Sequence, residues 1–527
     1  MVFGALALHS LELQEGALIS VPNFNPASGV TEALSLPQVM TENDRLKLFI
    51  DGQWVASKSA STLPVMNPGI GKEVCKVPLS SNDEVDSAVR SSQAAFEKWR
   101  ELSLPERVQY LFKLKYLLEE HSEELAKANT LNHGKTIVES RGDVRRTIDN
   151  LEAAIAAGYT LLKGEHLDQV APNIDEGTVK EPLGVFGIIC PFNFPLMVPF
   201  WYLPYALVAG CTVVVKPSEI TPIPFAQLTT LFEKANLPPG VVNLVHGSKE
   251  TVESLIAHPL VKGVTFVGST SVGRYVYKLA GEHGKRAIVQ AGAKNSLLLM
   301  PDADPALAVE ACVSSLFGNS GQRCLAGANI VTTERTPKDL VDKFAARARA
   351  LRVGYGLNEE TEMGPMVSLK AKDRVLQYVE KGTSEGASLV LDRRDIKVSG
   401  YGDGFYVGPT VFDSVSPDMA IAREEIFGPL GTIIRTPDID GAIDFINKST
   451  NYGNAASIFT TNGAHAREFR RRVHAGNIGI NIGVAAPIAF FPFGGMRDSF
   501  YGTLHGQIES INFFTDHKVI ITRWNRS

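Results

Sequence analysis

A cysteine directly preceded by an arginine lies in the stretch GNSGQRCLAGA, residues 318–328. A thiol has an ordinary pKa of about 8.5, and nearby positive charge or free backbone N–H groups activate it by stabilising the thiolate. Cys324 has a glycine three residues to either side, which argues against the inert burial that we expect for Cys190 and Cys211 within predicted strands. We therefore predict that Cys324 is a catalytic nucleophile.

A second candidate is Asn193 in the motif PFNFP, directly after a predicted strand. An amide held rigidly between prolines and aromatic rings can donate a hydrogen bond to a developing oxyanion. Taken alone, the motif is also explained by an asparagine that satisfies local turn amides. The role of Asn193 therefore depends on the other motifs.

Two further motifs follow predicted strands where a dinucleotide could bind. GSTSVG opens a helix whose free N–H groups can hold a phosphate, which makes Gly268 and Ser269 candidates, although about half of such turns are only structural. KPSE places Lys216 and Glu219 at the carboxyl edge of the sheet. A carboxylate there accepts both ribose hydroxyls and repels a 2'-phosphate, so Glu219 favours NAD over NADP unless it is an exposed turn residue.

The elements that must position these residues alternate from residue 184 onward. Apolar runs predict five strands, and the amphipathic stretches between them predict four helices. The runs are GVFGIIC (184–190), CTVVVK (211–216), GVVNLVHG (240–247), KGVTFVG (262–268) and RAIVQAG (286–292). Because these runs lack polar alternation, they indicate strands buried on both faces of a doubly wound parallel sheet.

A second α/β series begins at NSLLLM and continues to about residue 495, with the cysteine loop between a predicted helix and the strand ANIVTT. Upstream, the stretches 104–134 and 139–158 predict helices that pack on the first sheet. The last predicted strand, within 511–524, has no sheet of its own nearby in the sequence. We expect this strand to take part in oligomerisation.

Composition excludes several classes of protein. The 527 residues suggest two to four domains at roughly 150 residues each, and 44% hydrophobic with 21% charged residues is typical of a soluble globular protein. A net charge of -5 gives no basic surface for nucleic acid. Residues 185–215 are uncharged but contain four prolines, so no membrane-spanning helix is predicted.

The cysteines and the N-terminal residues indicate whether the protein binds a metal and in which cellular compartment we expect it. Five scattered cysteines without metal-ligand spacing predict no metal site and a reducing compartment. The first basic residue is Arg45, after several acidic ones, so residues 1–44 are interpreted as a weakly ordered extension rather than a targeting segment. We expect a cytoplasmic protein, with the mitochondrial matrix as the alternative.

The ordered motifs PFNFP, KPSE, FVGSTSVG, GQRC, EEIFGP and PFGG resemble those of the aldehyde dehydrogenase superfamily over about residues 47–524. The resemblance implies that Cys324 adds to an aldehyde, while Asn193 and the Cys324 backbone N–H form the oxyanion hole. It also implies the cofactor contacts: Lys216 and Glu219 at the adenosine ribose, Gly268 and Ser269 at the pyrophosphate, Glu425 at the nicotinamide ribose, Phe427 near the nicotinamide, and Phe192 elsewhere in the cofactor site.

The implied fold is α/β and aldehyde dehydrogenase-like, with a Rossmann-type parallel NAD-binding sheet, an α/β catalytic domain and a small oligomerisation element. We assign residues 45–162 and 183–290 to the NAD-binding domain, 291–495 to the catalytic domain, and 163–182 with 496–527 to the oligomerisation element. A homotetramer or a homodimer is expected.

One catalytic residue of the superfamily is missing. Most members carry a glutamate in ELGGK that activates water to hydrolyse the acyl-enzyme, whereas this chain has QAGAK, with Gln290 in that place. An amide cannot accept the proton at neutral pH, so the thioester requires a better nucleophile than water. Coenzyme A brings a thiol that attacks as its thiolate without such a base.

This departure, with GAKN, GQRC and the tail FFPFGGMRDSFYGTLHGQIESINFFTDHKV, is similar to the CoA-acylating methylmalonate or malonate semialdehyde dehydrogenases, although Ser296 stands where that branch carries a histidine. The implied reaction is NAD-dependent oxidation through a thioester, acyl transfer to CoA and loss of CO2, giving propionyl-CoA or acetyl-CoA. One methyl group is worth only about 1 kcal/mol in a pocket, so the sequence does not choose between the two substrates. The alternatives are a hydrolytic dehydrogenase of another acidic semialdehyde, such as succinate semialdehyde, and a non-catalytic NAD-binding or structural protein.

The substrate carboxylate of such a semialdehyde needs a cation near the catalytic sulfur. Arg323 can donate two parallel hydrogen bonds to it, and the resemblance implies a second arginine on an upstream helix. We assign this role to Arg146, with Arg145 as the second candidate. A surface pair of Arg146 with Asp143 or Asp149 is an equally good explanation of that residue.

Overall fold

The structure, a computed structural model, describes residues 38–524. Its strands in chain order are β1 (Leu48–Ile50), β2 (Gln53–Val55), β3 (Thr62–Asn67), β4 (Lys72–Pro78), β5 (His166–Ala171), β6 (Ile174–Pro182), β7 (Val185–Ile189), β8 (Thr212–Lys216), β9 (Val242–Leu244), β10 (Val261–Val267), β11 (Arg286–Gln290), β12 (Asn295–Leu299), β13 (Gly327–Thr333), β14 (Ser388–Leu391), β15 (Thr410–Asp413), β16 (Leu430–Thr436), β17 (Tyr452–Gly453), β18 (Ala455–Phe459), β19 (Asn477–Ile480), β20 (Met496–Arg497), β21 (Phe500–Tyr501) and β22 (Thr515–Arg523).

The α-helices of the described residues are α1 (Asn82–Trp99), α2 (Leu104–Glu120), α3 (Ser122–His133), α4 (Ile137–Leu161), α5 (Met197–Phe200), α6 (Leu203–Ala209), α7 (Ile223–Lys234), α8 (Lys249–Ala257), α9 (Thr270–Glu282), α10 (Pro305–Phe317), α11 (Lys338–Arg349), α12 (Leu369–Ser384), α13 (Ala420–Arg423), α14 (Ile439–Lys448) and α15 (Gly463–Arg472). Three of the first four begin with a capping box, in which a Ser or Thr hydroxyl and a Glu carboxylate bond each other's backbone N–H. These caps set where each helix starts.

The first sheet has the strand order β2-β1-β9-β8-β7-β10-β11-β21. Its five central strands are the predicted ones, and they pair in parallel, which confirms the doubly wound sheet. The chain runs outward from β7 in both directions, through β8 and β9 on one side and through β10 and β11 on the other. Ligands of such sheets bind at this switch point, beyond the carboxyl ends of the strands.

The second sheet has the order β14-β15-β16-β13-β12-β18-β19, and all its pairs are parallel except that of β14 with β15. Leu297 and Leu299 of β12 pack into one buried cluster, and Leu298 between them packs into another. Because successive side chains of a strand point to opposite faces, both faces of this sheet are covered. The cysteine loop joins α10 to the start of β13.

The terminal strand β22, which has no sheet nearby in the sequence, pairs with the distant strand β6 of its own chain. It pairs antiparallel with β6 over nine residues, from Thr515 opposite Pro182 to Arg523 opposite Ile174, and β5 follows on the other side of β6. No local sequence pattern indicates this pairing, because β6 lies more than three hundred residues earlier. The preceding short strand β21 pairs instead with β11 and extends the first sheet.

Most of the predicted N-terminal extension, residues 1–44, lies outside the described residues. Within residues 38–44, Val39 is buried and Met40 bridges to Leu46, so this last part packs on the domain. Among the residues described, none of the helices is long and apolar enough to cross a membrane.

Candidate active site

The cysteine loop has an unusual backbone. Asn319 and Ser320, just after α10, both have φ of +53°, a left-handed conformation that costs a non-glycine residue free energy and persists only where the surroundings impose it. The Ser320 hydroxyl donates to Gly364 O at 2.8 Å, and the Asn319 side chain donates to Gln322 O at 3.0 Å. These bonds hold the turn that presents the next residues, among them Cys324.

Cys324 is the one partly exposed cysteine among the described residues, since the other four are buried. Burial of its sulfur raises the pKa of the thiol to about 12, and the nearby Glu425 carboxylate acts in the same direction. The backbone N–H groups of Cys324 and Leu325 oppose this increase in pKa, as does the guanidinium of Arg323. The raised pKa favours the neutral thiol, so attack on a substrate requires removal of its proton.

Asn193 lies beside the cysteine loop. Its buried side chain donates from Nδ2 to Gln322 O at 3.0 Å, two residues before Cys324. This bond occupies one N–H of the amide and leaves the second for a ligand. The fold therefore brings the β7 loop and the cysteine loop together, although the sequence separates them by 129 residues.

The candidate cofactor residues lie along the edge of the first sheet. Lys216, at the end of β8, donates to Gly247 O at 2.7 Å and to the Glu219 carboxylate at 3.1 Å. Helix α9 begins after Ser269, whose side chain makes no capping bond, so the first N–H groups of this helix remain available to an anion. This arrangement can hold a ribose at Glu219 and a phosphate at Gly268 and Ser269.

Glu425, Phe192 and Phe427 are the remaining candidate cofactor residues. The Glu425 carboxylate accepts a bond from Ala293 N at 2.8 Å, and burial raises its pKa to about 7, opposed by that N–H and by the positive charges of Arg374 and Lys294. The rings of Phe192 and Phe427 meet edge to face with centroids 5.7 Å apart. Glu425 and Phe427 both border a cavity of about 20 Å³ beside the cysteine loop.

Gln290 ends β11 and is fixed by its neighbours. Its Nε2 donates to Phe493 O at 2.8 Å, while its Oε1 is buried with no partner among the described residues. The buried hydroxyl of Tyr202 also lacks a partner there, and the Gln290 amide lies close enough to oppose the rise that burial causes in the Tyr202 pKa. No motif indicates Tyr202, because it lies in the apolar stretch VPFWYLPYALVAG, which predicts a helix.

Arg323 is held by a carboxylate that sequence reasoning missed. Its Nη2 lies 2.9 Å from Glu139 Oε1, which also accepts from Asn319 N at 2.5 Å. The other oxygen of Glu139 accepts from Thr136 N in the capping box of α4. One carboxylate therefore joins the start of α4 to both the cysteine loop and Arg323, and it balances the charge of the arginine.

Arg146 and Arg145 both form surface pairs with Asp149, at 3.4 Å and 2.7 Å respectively. Residues four and three apart lie on one face of a helix, which places Arg146 on the same stripe of α4 as Glu139 and Asp143. Arg145 lies on the neighbouring stripe, and both arginines are exposed. Neither arginine contacts Arg323 among the described residues, so the choice of Arg146 over Arg145 stays a prediction.

Two buried lysines complete the site, and neither was predicted, because lysine is ordinarily exposed. Lys294, in GAKN, is buried with no hydrogen-bond partner among the described residues, and desolvation lowers its pKa to about 7, opposed by Glu425 and Glu424. Lys135 donates from Nζ to Asn193 O at 2.6 Å. The GKT motif before α4 was the available signal for Lys135.

Within the described residues, His166, Asp168 and Asp175 cluster on the three-stranded sheet with spacing that could suit a metal ion. The Asp175 carboxylate already accepts from Gln169 N at 2.9 Å and from Trp524 Nε1 at 2.6 Å. The prediction that the protein binds no metal stays a prediction.

Comparisons with known proteins identify a family from residues over most of the chain. The family model described as the aldehyde dehydrogenase family matches residues 54–520. A malonate-semialdehyde dehydrogenase of Geobacillus kaustophilus is 45% identical, covering 91% of this chain and 99% of its own.

Solved structures of aldehyde dehydrogenases are also similar to this chain. A methylmalonate-semialdehyde dehydrogenase of Oceanimonas doudoroffii has a TM-score of 0.89 at 37% identity, over 91% of this chain and 98% of its own. An aldehyde dehydrogenase of Bacillus cereus, solved as an NAD complex, has a TM-score of 0.87 at 31% identity, over 92% and 97%. Together with the two parallel sheets that meet at Cys324 and Asn193, these matches confirm the predicted fold class, and the chain belongs to the aldehyde dehydrogenase family.

Proposed function

We propose that this protein is an NAD-dependent, CoA-acylating dehydrogenase of malonate or methylmalonate semialdehyde. The observation that carries the proposal is Gln290, at the position where most aldehyde dehydrogenases carry a glutamate, in a chain 45% identical to a malonate-semialdehyde dehydrogenase. The comparisons offer no support for the hydrolytic or the non-catalytic alternative.

In the proposed reaction, the Cys324 thiolate adds to the aldehyde carbon. The negative charge that develops on the aldehyde oxygen is stabilised by the free N–H of the Asn193 amide and by the Cys324 backbone N–H. Loss of a hydride from the same carbon leaves a thioester. The thiol of CoA then displaces Cys324, and loss of CO2 from the acyl unit, with a proton taking its place, gives acetyl-CoA or propionyl-CoA.

NAD fits the residues present. The uncapped start of α9 suits its pyrophosphate, and the Glu219 carboxylate, held by Lys216 at 3.1 Å, suits the hydroxyls of the adenosine ribose. Glu425 would hold the nicotinamide ribose, with Phe427 and Phe192 alongside. Bound NAD supplies the hydride acceptor.

Arg323 and Arg146 are proposed to bind the substrate carboxylate. Arg323 is already paired with Glu139, so only part of its guanidinium is available and a second cation is needed to balance the added negative charge. Arg146, on the stripe of α4 that also carries Glu139, can provide it.

Replacing Arg323 with leucine should reduce kcat/KM for malonate semialdehyde about 10- to 150-fold. A charge-assisted hydrogen-bonded contact is worth roughly 1.5 to 3 kcal/mol, which gives this range. Propanal, which has no carboxylate, should lose far less. Steady-state kinetics with both aldehydes test this prediction, with Arg90→Leu, an exposed arginine of α1 that pairs with Asp86, as the matched control. Equal losses for the two aldehydes would reassign Arg323 to supporting the cysteine loop.

We further propose that β22 and its neighbours form a subunit interface, as a homodimer or homotetramer requires. The outer edge of β22 is unpaired among the described residues, and Val519 and Ile521, which point the same way, are 61% and 66% exposed. An exposed apolar edge strand favours pairing with another chain.

Val519→Lys combined with Ile521→Lys should lower the oligomeric state, because both side chains are exposed in the single chain and their replacement leaves the fold intact. Sedimentation velocity at micromolar concentration measures this. Leu307→Lys, at an exposed position on α10, is the control and should leave the mass unchanged. A wild-type protein that sediments as a monomer would contradict the proposal.

The experiment that tests the function is product analysis by mass spectrometry, with malonate semialdehyde and NAD, in the presence and absence of CoA. Acetyl-CoA is the expected product. Free carboxylic acid formed equally fast without CoA would favour hydrolysis, and absence of any NADH would favour a non-catalytic protein. A cytoplasmic location remains part of the proposal.

A further inference from the structure

Lys135 is the most deeply buried charge near the site. Its residue is 0% exposed, and its ammonium makes three contacts: Asn193 O at 2.6 Å, Asp143 Oδ2 at 3.1 Å, and the ring of Phe194 at 4.1 Å from the centroid. Two of these three contacts are to the β7 loop, on Asn193 itself and on the next residue. The proposed reaction assigns Lys135 no role.

The Asp143 carboxylate extends the same network. One of its oxygens accepts from Lys135 and from Asn129 Nδ2 at 2.9 Å, and the other accepts from Met197 N at 2.8 Å, at the start of α5. The buried ion pair of α4 and the α3–α4 loop therefore holds the β7 loop at Asn193 and at the residues that follow it, as far as Met197. Burying two charges costs free energy even when they pair, so such a pair is weak evidence for a role in stability alone.

The contact between Lys135 and Asn193 has a further geometric consequence. The ammonium fixes the main-chain carbonyl of Asn193, while Gln322 O fixes one N–H of its side chain. With both ends of the residue held, the second amide N–H has one direction left. A donor aimed in advance at a developing oxyanion is worth far more than one that must reorient during the reaction.

We propose that Lys135 is a positioning residue, which acts through Asn193 to aim the oxyanion-hole amide at the aldehyde oxygen. This inference rests on the oxyanion role proposed for Asn193. It predicts that Lys135 affects the transition state of Cys324 acylation and leaves NAD binding unchanged.

The test is a double-mutant cycle on the pre-steady-state burst of NADH with malonate semialdehyde and NAD. Lys135→Met should slow the burst about 10- to 100-fold, since loss of an oxyanion donor costs about 10²- to 10³-fold and misplacement costs less. In the Asn193→Ala background, the same replacement should change the burst less than about threefold, because the amide that it positions is gone. The dissociation constant of NAD, measured by fluorescence titration, should not change.

A second variant keeps the test valid if Lys135→Met folds poorly, since it leaves Asp143 buried without its cation. The double variant Lys135→Met with Asp143→Asn removes both buried charges. The Oδ1 of Asn129, which has no partner in the described part of the chain, can then accept a hydrogen bond from the amide introduced at position 143. Lys285→Met is the matched control. Like Lys135→Met, it removes an ammonium that holds the main chain, in this case by bonds to the carbonyls of His258 and Val261. Its burst should stay within about threefold of wild type.

Equal fold losses from Lys135→Met in the wild-type and Asn193→Ala backgrounds would overturn the inference and make Lys135 a structural residue, with the proposed function untouched. If Asn193→Ala alone left the burst unchanged, both the oxyanion assignment and the role of Lys135 would fail. A slower burst caused by weaker NAD binding would also overturn the inference.

Discussion

Replacing Cys324 with alanine should abolish NADH formation while NAD still binds. The reaction begins with a bond from the Cys324 sulfur to carbon, and no other cysteine is partly exposed among the described residues. Loss of a catalytic nucleophile removes on the order of 10⁶-fold in rate, so turnover should fall below detection. Absorbance at 340 nm measures the NADH, and fluorescence titration measures NAD binding in the same preparation.

Cys75→Ala is the control for the loss of a thiol. Cys75 lies buried in β4, where burial and nearby carboxylates raise its pKa to about 12, so this variant should keep its turnover within about threefold. Substantial NADH formation by Cys324→Ala would rule out the thioester mechanism altogether.

Adding CoA should increase steady-state NADH formation about 10²- to 10⁴-fold, the contribution typical of a positioned general base. Without CoA, water must attack the Cys324 thioester unaided, because the amide of Gln290 cannot accept a proton. We therefore expect a burst of about one NADH per active site, then a slow phase that CoA removes. Stopped-flow absorbance resolves the two phases.

Gln290→Glu should raise the rate without CoA, but by less than the full contribution of a base. Gln290 Nε2 donates to Phe493 O, and a carboxylate in that place would set two acceptor oxygens against each other, which favours its protonated form. Gln290→Met, which removes the amide and adds no base, is the control and should show no gain. Wild-type enzyme that forms free acid equally fast with and without CoA would contradict the assignment.

The five central strands of the first sheet could be predicted because they are local apolar runs, whereas its short edge strands β1, β2 and β21 were not predicted. CTVVVK, for example, was predicted over 211–216 and is observed as Thr212–Lys216. The stretch 104–134 was predicted as helical, but the structure breaks it at His121 into α2 and α3. Leu117 and Leu118 continue the periodic pattern almost to the break, so periodicity alone gave no sign of it.

The site could be predicted only where a short motif carried it. Motifs indicated Cys324, Asn193 and Gln290, and the structure brings the loops of the first two together. The bonds of Glu139 to Arg323 and of Lys135 to Asn193 join residues 184 and 58 positions apart. The sequence around Glu139 is that of an ordinary exposed helix, and the GKT motif is the one local signal at Lys135, so only the tertiary fold shows which partners these two side chains have.

The sheet formed by β5, β6 and β22 also has a consequence for how the protein is made. Glu181 and Lys518, which pair across it, are 337 residues apart. During synthesis, one edge of β6 therefore stays unpaired until the strands of the two large sheets have been made. Unpaired edges promote aggregation. The proposed interface is thus completed only after the residues of the candidate active site have been synthesised, which makes subunit assembly a late event.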